Sequence, residues 1–305
     1  MIGLDGGDGP EIALGVLLFA LGATVGSFLN VAIFRMPRGE SLVRPRSRCL
    51  SCGHTLGPLD MFPVLSYIWA AGKCRYCRRP FSPRYMFVEL FTGLACLGAW
   101  WVFVQMRLGV MWPGAWVGVG PALEAALVFI ATCCLVVVFF IDLDHYIIPD
   151  ETVIIIACVG LVLDGLRIAA AGASEMVIFP ERMAPAGQHA VLLPKSLVGM
   201  AMGAGLLLVI AVIAERVFKK PSMGGGDIKL AGAMGAILGP GYQFFAYFLL
   251  SVFTGALVGV VAMALGRRSR RDYLPFGPMM AAAGVAILYA GGLITPWVMG
   301  RFFAL

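Results

Sequence analysis

The stretch that decides the fold is FFIDLDHYIIPD, residues 139–150. About twenty mostly apolar residues precede it and a second apolar run follows it, so it joins two predicted membrane spans. Asp142 directly follows the first run, where an acid is costly and indicates a function. Asp144 and Asp150 fit a functional role and a solvated turn equally well, since a proline before Asp150 is also a helix-start pattern.

The composition excludes an ordinary soluble protein. The 305 residues are 60% hydrophobic and 13% charged, with a mean hydropathy of +0.90. We expect an all-α polytopic membrane protein of about eight transmembrane helices, and no cleavable signal peptide, because the first eleven residues carry acids and no base. The sixth predicted span is short, with about 12 residues before Gly239-Pro240-Gly241, so it either continues through Pro240 as a kinked helix or starts below the membrane surface. The predicted spans are 12–33, 85–106, 122–141, 152–170, 196–216, 228–239, 242–265 and 277–298.

The basic residues predict the orientation in the membrane. Eighteen of the 23 Lys and Arg residues fall in three turns, at 35–84, 216–229 and 267–271. All three lie on one side of an eight-span arrangement, and an excess of bases marks the cytoplasmic side. The segment 142–151 then also faces the cytoplasm, whereas both termini and the loop 171–195 lie outside.

A polar insert at residues 35–84 carries two Cys-x-x-Cys pairs, which are Cys49 with Cys52 and Cys74 with Cys77. This spacing is typical of a four-thiolate structural zinc site. A reducing cytoplasm disfavours disulfides, so redox-active or idle thiols are the weaker alternatives. The neighbouring His54 is expected beside the site rather than in it, because four thiolates already complete a tetrahedron.

A second acid lies in the segment 223–230, where three glycines precede Asp227 at the start of a predicted helix. Asp227 is explained by helix capping alone. A functional interpretation gains weight because Asp142 and Asp227 fall on the same predicted membrane side. If their helices are neighbours, the two carboxyl groups share one proton, which is the arrangement of an aspartic-protease dyad.

At this point the sequence resembles the bacterial type IV prepilin peptidases. Their Gly-x-Gly-Asp signature is matched by Gly224-Gly225-Gly226-Asp227, and further motifs occur in the family's order along nearly the whole chain. These are Gly26–Val31, the two cysteine pairs, Arg84-Tyr85 with Val88-Glu89-Leu90, Ile141–Asp150 and Pro275-Phe276-Gly277-Pro278.

The resemblance implies two activities in the bacterial inner membrane. One is cleavage of the leader of prepilins or pseudopilins, which are membrane-anchored helices, after a glycine at the cytoplasmic face, with Asp142 and Asp227 as the catalytic pair. The other is N-methylation of the new terminal residue by S-adenosylmethionine. No Gly-rich donor motif is present, so Asn30, Arg35 and Glu89 are only weak candidates for donor or substrate contacts, and an interhelical hydrogen bond explains Glu89 equally well.

Two domains follow from this interpretation. Residues 1–110 hold the first two spans and the zinc-binding loop associated with methyl transfer, and residues 111–305 hold a six-span peptidase domain. Three alternatives remain: a peptidase without methylation, a proton-coupled transporter, and a membrane-tethered zinc ribbon that binds nucleic acid. The last two rank well behind, and we expect membrane lipid but no nucleic acid among the partners.

Overall fold

The computed structural model describes residues 8–44, 46–105, 120–171, 176–179, 191–219, 223–266 and 274–303. They form two compact units that divide at Trp101 and Val102. The predicted domain boundary at 110/111 lies outside the described residues. So do Lys220 and the four arginines of the third basic turn, on which part of the predicted orientation rests.

The described chain is predominantly α-helical, which confirms the expected fold class. The first unit holds α1, α2 and α3, and α3 continues as a π-helical turn at Trp101–Gln105. The second unit holds α4 to α9 and a two-stranded antiparallel hairpin in which Met176 pairs with Pro194. The elements are α1 Asp8–Arg35, α2 Leu65–Trp69, α3 Arg84–Trp100, α4 Pro121–His145, α5 Asp150–Ala171, β1 Met176–Phe179, β2 Val191–Pro194, α6 Lys195–Phe218, α7 Gly225–Leu238, α8 Tyr242–Ala264 and α9 Gly277–Phe303.

Seven helices in the described part of the chain are long and apolar enough to cross a membrane. They are α1, α3, α4, α5, α6, α8 and α9, the last of which has a kink at Ala290. The predicted sixth span is α7, whose 14 residues extend for about 21 Å. This is less than the ~30 Å of a bilayer core. The chain turns at Gly239, where φ is +70°, so α7 is a separate short helix and does not continue through Pro240.

The short helix α7 is the centre of the second unit. Ten of its residues are buried, including every residue from Leu230 to Leu238. The neighbouring helices approach α7 through glycines, because Gly160 of α5 lies against the backbone of Ala236, and Gly199 of α6 lies against that of Gly235. A side chain at either glycine would collide with main-chain atoms of α7. Small residues at helix contacts are how membrane helices come close enough for dispersion forces to hold them together.

A buried ion pair joins the N-terminal end of α4 to the C-terminal end of α5. Arg167 donates to Glu124 over 2.7 Å, and Glu124 is 1% exposed. Nearby, the buried carboxylate of Asp164 accepts the backbone N–H of Ser196 at the start of α6, over 2.8 Å. The ends of three helices are thus connected by charged and polar contacts, far along α4 from Asp142. Glu124, Asp164 and Arg167 are not among the predicted site residues, although acids and a base inside apolar runs are a sequence signal for such a cluster.

In the first unit, α1 and α3 pack as an antiparallel pair. A Cβ on Gly26 would lie 2.8 Å from Cα of Glu89, so the two helices are nearly in backbone contact there. The polar insert joins the C-terminal end of α1 to the N-terminal end of α3. Its described residues contain short helical pieces, which are 3₁₀ turns at Met36–Arg38 and Pro58–Asp60 and the five-residue helix α2.

Candidate aspartate pair and four-cysteine centre

Asp142 lies in the last turn of α4 and is 5% exposed. Its carboxylate accepts the backbone N–H of Gly277, the first residue of α9. The approach depends on the glycine, because a Cβ at this position would lie 2.6 Å from Oδ2 of Asp142. Within the described residues, Oδ2 is buried and has no hydrogen-bond partner. A buried oxygen without a partner is costly unless a water, a proton or a substrate group completes it.

Asp227 is the third residue of α7 and is also 5% exposed. Its backbone N–H donates to the carbonyl of Gly224 over 3.1 Å, and its carboxylate accepts the backbone N–H of the same glycine. This contact returns from the first helical turn to the N-cap, as in one half of a capping box. The N-cap residue of α7 is Gly224, so Asp227 is not the N-cap itself but contacts it from inside the first turn, and this contact orients the carboxylate.

The structure brings Asp142 and Asp227 together, with Ile148 between Gly226 of α7 and Gly277 of α9. A Cβ on Gly226 would meet Cβ of Ile148 at 3.0 Å, and a Cβ on Gly277 would meet its Cδ1 at 3.1 Å. The carboxylate charges of Asp142 and Asp227 act on each other. Two buried carboxyl groups within electrostatic range of each other favour the state in which only one is ionised, since double ionisation leaves like charges without solvent.

Two neighbouring helices, α6 and α8, extend past the level of the aspartate pair. Gly199 and Gly203 of α6 face Gly235 and Ala231 of α7, and this antiparallel register puts Asp227 level with Leu207. Helix α6 therefore continues about 16 Å beyond Asp227 before it ends at Phe218.

Helix α8 also extends past the two aspartates, on another side of the pair. Its Gly255 contacts Phe276 and Met279 beside the start of α9, and α8 continues about 14 Å further, to Ala264. The aspartates thus lie at the level where α4 ends and where α7 and α9 begin, while α6 and α8 extend past them.

The other two acids of the stretch 139–150 are exposed. Lys229 of α7 binds both carboxylate oxygens of Asp150, over 2.8 and 3.0 Å, so Asp150 connects the start of α5 to α7 at the surface. Asp144 lies two residues after Asp142 on α4 but remains exposed. Of the three acids, only Asp142 is buried.

Tyr247 is a residue near the pair that the sequence analysis did not single out. It lies on α8, is 1% exposed, and is within electrostatic range of Asp227. A tyrosine inside an apolar span is a weak signal, because many such residues only pack. Gly277 was noticed as part of a motif, but its contact with Asp142 depends on the register between α4 and α9.

The four cysteines of the insert form one cluster. Their Sγ atoms all lie within 4.8 Å of one another, and Sγ of Cys49 is 3.9 Å from Sγ of Cys77. Four sulfurs on a tetrahedron with Zn–S bonds of about 2.3 Å would be separated by about 3.8 Å. The donor set and its spacing therefore fit a zinc ion. Cys49 and Cys74 are buried, so the chain has already withdrawn half of the donors from solvent.

The two cysteine pairs have the same local geometry. Cys49 N–H donates to the carbonyl of His54, and Cys74 N–H donates to that of Arg79. The fourth residue after each of these cysteines is in the left-handed region, with φ of 72° at Gly53 and 61° at Arg78.

Backbone groups already favour the thiolate form of Cys49. Burial alone would raise the pKa of this thiol, but hydrogen bonds from the backbone of Cys52 and Ser51 lower the pKa to about 7. Thiolates are the form that binds a metal ion.

Aromatic and polar contacts connect the two cysteine pairs. The His54 ring stacks on that of Tyr76, with centroids 3.6 Å apart. The Tyr76 hydroxyl donates to Asp60 over 3.1 Å, and this hydrogen bond raises the pKa of Tyr76. His54 thus lies beside the cluster and supports it without being one of its ligands.

The three weak candidates for donor contacts all bind the protein's own backbone. Asn30 donates to the carbonyl of Tyr85 over 3.0 Å, and Arg35 donates to that of Ser41 over 2.8 Å. Glu89 accepts the backbone N–H of Val64 over 2.8 Å. These bonds explain the burial of the three side chains without a methyl donor. Glu89 also interacts with the Ser27 side chain of α1, in agreement with the predicted interhelical hydrogen bond. The contact with Val64, which connects a membrane helix to the insert, was not predicted.

Comparisons with known proteins match each of the two units to a described family. Residues 20–103 match the family described as bacterial peptidase A24 N-terminal domain, and residues 129–260 match the type IV leader peptidase family. Three curated relatives are each named prepilin leader peptidase/N-methyltransferase. The Myxococcus xanthus protein is 35% identical over 88% of this chain and 68% of its own length. The Bacillus subtilis protein is 34% identical over 92% of this chain and 97% of its own length. The Aeromonas hydrophila protein is 31% identical over 94% of this chain and 94% of its own length. No solved structure matches significantly.

Fold and sequence together define a multi-pass inner-membrane enzyme, an aspartic peptidase that also carries methyltransferase activity. The chain belongs to the type IV leader peptidase family, together with the bacterial prepilin leader peptidase/N-methyltransferases.

Proposed function

We propose that this enzyme removes the leader of prepilins or pseudopilins at the cytoplasmic side of the inner membrane, with Asp142 and Asp227 as the catalytic pair, and then methylates the new N-terminal amine. The observation that carries the proposal is the burial of these two acids at 5% exposure, each with a backbone N–H that fixes its carboxylate. The substrate class comes from the names of the relatives.

In the proposed cleavage, the ionised carboxylate takes a proton from a water molecule, and the hydroxide equivalent attacks the scissile carbonyl carbon. The protonated carboxyl group donates to the carbonyl oxygen at the same time. Collapse of the tetrahedral intermediate breaks the C–N bond, and the leaving amine takes a proton from the pair. One water is consumed, and one carboxyl and one amine are formed. Gly277 and Gly224 hold the two carboxylates in direction through this cycle.

The position of the pair supports a membrane-anchored substrate. Because α6 and α8 extend about 14 to 16 Å past the aspartates, the scissile bond of the substrate must reach below the ends of these helices. An extended leader connected to a membrane helix has that geometry, whereas the surface loop of a folded protein does not.

Zinc, in this proposal, is held by Cys49, Cys52, Cys74 and Cys77, and its contribution is to fold the insert at residues 35–84. S-adenosylmethionine is proposed as the methyl donor because the relatives are named methyltransferases. Asn30, Arg35 and Glu89 are engaged elsewhere, so we assign no donor-binding residue and derive no step through the donor. The first unit is proposed as the part responsible for methyl transfer.

The peptidase proposal is tested with purified enzyme in detergent and a prepilin substrate, read by intact mass. Asp142→Asn and Asp227→Asn should each abolish leader loss, because one carboxyl group cannot supply both proton transfers. Asp144→Asn is the matched control, since it is an exposed acid on the same helix, and it should retain most activity. An active Asp142→Asn beside an inactive Asp144→Asn would overturn the assignment, and no cleavage by any form would favour a transporter.

The methylation proposal needs a separate readout. The double variant Cys49→Ser/Cys77→Ser should release zinc, measured by elemental analysis, and lose methylation of an already cleaved pilin while it retains cleavage. Asp227→Asn should show the converse. Loss of cleavage in the zinc-free variant, with its membrane helices still folded, would show that the insert helps to form the peptidase site.

A further inference from the structure

The insert exposes a run of large apolar side chains at residues 59–69, here called the apolar segment. Leu59 is 62% exposed, Ile68 58% and Trp69 61%. A small zinc-binding domain in water would be expected to bury such residues, because contiguous exposed apolar surface marks an interaction site. The exposed members are Leu59, Met61, Phe62, Leu65, Ile68 and Trp69.

Helix α2 turns its apolar face outward. Leu65, Ile68 and Trp69 have the spacing that puts side chains on one helix face, and all three are exposed. Tyr67 turns the other way, since a Cβ on Gly72 would lie 2.9 Å from its hydroxyl oxygen. Phe62 extends the same surface and contacts the Trp69 ring, with centroids 6.0 Å apart.

The start of α2 lies at the depth of a membrane helix. Glu89, which accepts the N–H of Val64, is five residues after the start of α3 at Arg84, or about 7.5 Å along the helix axis. Helix α3 is one of the membrane spans. Helices that lie in a membrane interface bury their apolar face by about 5 to 10 Å. The contact with Glu89 therefore holds the apolar segment level with the first turns of α3.

The charge around the apolar segment fits an anionic lipid surface. Among the described residues of the insert, Asp60 and Glu40 are the only acids, and Asp60 is bound by Tyr76 and Arg75. Bases close to an anionic leaflet are attracted to its headgroups. Exposed bases lie on both sides of the segment, at Arg44, Arg46, Arg48, Lys73, Arg75, Arg78 and Arg79.

We propose that the apolar segment lies in the headgroup region of the leaflet where α1 ends and α3 begins, and that the neighbouring bases bind anionic phospholipid headgroups. The insert is then a membrane-surface domain connected at both ends to spans, with Trp69 as an interfacial anchor. The proposal rests on the first unit alone and does not depend on the peptidase chemistry.

The test uses the full-length enzyme in nanodiscs of phosphatidylcholine and phosphatidylglycerol, with or without bromine on the acyl chains. The sequence has six tryptophans, so the emission of Trp69 is obtained as the difference between the wild type and Trp69→Phe. Bromolipid should quench most of that emission, and aqueous iodide little of it. Trp297→Phe is the matched control, because Trp297 is 64% exposed on the membrane helix α9 and should be quenched by lipid.

Replacing phosphatidylglycerol by phosphatidylcholine should weaken the bromolipid effect on Trp69 and leave that on Trp297 unchanged. Emission from Trp69 that iodide quenches and bromolipid does not would overturn the proposal. Protection from both quenchers would also overturn it, because the segment is then covered by protein. If that protection appears only when a prepilin is added, the apolar segment is a substrate-docking surface. Zinc content equal to that of the wild type shows that Trp69→Phe leaves the insert folded.

Discussion

The substitution Gly277→Ala tests the proposed aspartate pair without altering a carboxyl group. The added Cβ would lie 2.6 Å from Oδ2 and 3.0 Å from Cγ of Asp142, whereas ordinary contacts begin near 3.4 Å. The carboxylate must therefore move by close to 1 Å, and a displacement of that size in a catalytic group reduces the rate by about 100-fold. The backbone N–H of residue 277 is retained, so the effect is steric. Leader cleavage of a prepilin by purified enzyme, followed by intact mass, measures the rate.

Gly284→Ala is the matched control for this substitution. Gly284 lies seven residues further along α9, and its Cβ would meet Leu135 Cδ1 and Met234 Cε, each at 3.1 Å. The packing stress is therefore comparable, but it lies about 10 Å from the carboxylate and falls on flexible side-chain ends. Both variants should unfold at similar temperatures, and only Gly277→Ala should lose cleavage. Equal cleavage rates in the two variants would refute the role of Gly277 in positioning Asp142.

Three further predictions concern the zinc insert and the packing of the second unit. Gly53→Ala should lower the folding stability of the zinc-bound insert by about 1 kcal/mol, because φ is 72° at this position. Arg78→Gly should raise it by a similar amount, because φ is 61° there. Competition for zinc with a chelator measures both changes, and equal zinc affinities would contradict this prediction. Glu124→Ala should lower the free energy of unfolding by about 3 to 5 kcal/mol, because it removes the buried carboxylate that pairs with Arg167 over 2.7 Å. Glu124→Leu/Arg167→Leu should recover most of this loss in thermal unfolding. Gly199→Leu should destabilise the second unit by collision with the backbone of Gly235, whereas Gly205→Leu on the same helix meets nothing within 4 Å and should be tolerated; similar unfolding temperatures would count against close packing of α6 on α7.

Hydropathy was sufficient to predict the long helices, because a membrane span is specified mainly by its length and apolar content. The predicted span at 122–141 corresponds to Pro121–His145, and that at 242–265 to Tyr242–Ala264. The short run before Gly239 was the uncertain element, since its sequence is compatible with a kinked span and with a short helix. In the structure α7 is a short helix buried by its neighbours, and such burial depends on tertiary packing that the local sequence does not specify.

Asp142 and Asp227 could be predicted as candidate site residues from the sequence, because placing an acid next to an apolar membrane span costs free energy in any fold. The sequence could not show that Gly277 supports Asp142, since this contact depends on the register between α4 and α9. The same holds for Glu89, whose partner Val64 is 25 positions away in the chain. Neither hydropathy nor motif spacing encodes which backbone group a buried side chain will reach.

The length of α7 has a consequence for how the enzyme is assembled. A segment of 14 residues cannot bridge the bilayer core as an independent helix. It is held in the membrane by packing against α5, α6 and α9, so we expect it to reach its final position only after those helices are inserted. Asp227 enters the membrane with α7, and the backbone group that contacts Asp142 arrives later in synthesis, with α9. Chains that end before α9 therefore lack this contact of Asp142, and we expect the proposed catalytic pair to become active only after α9 has inserted.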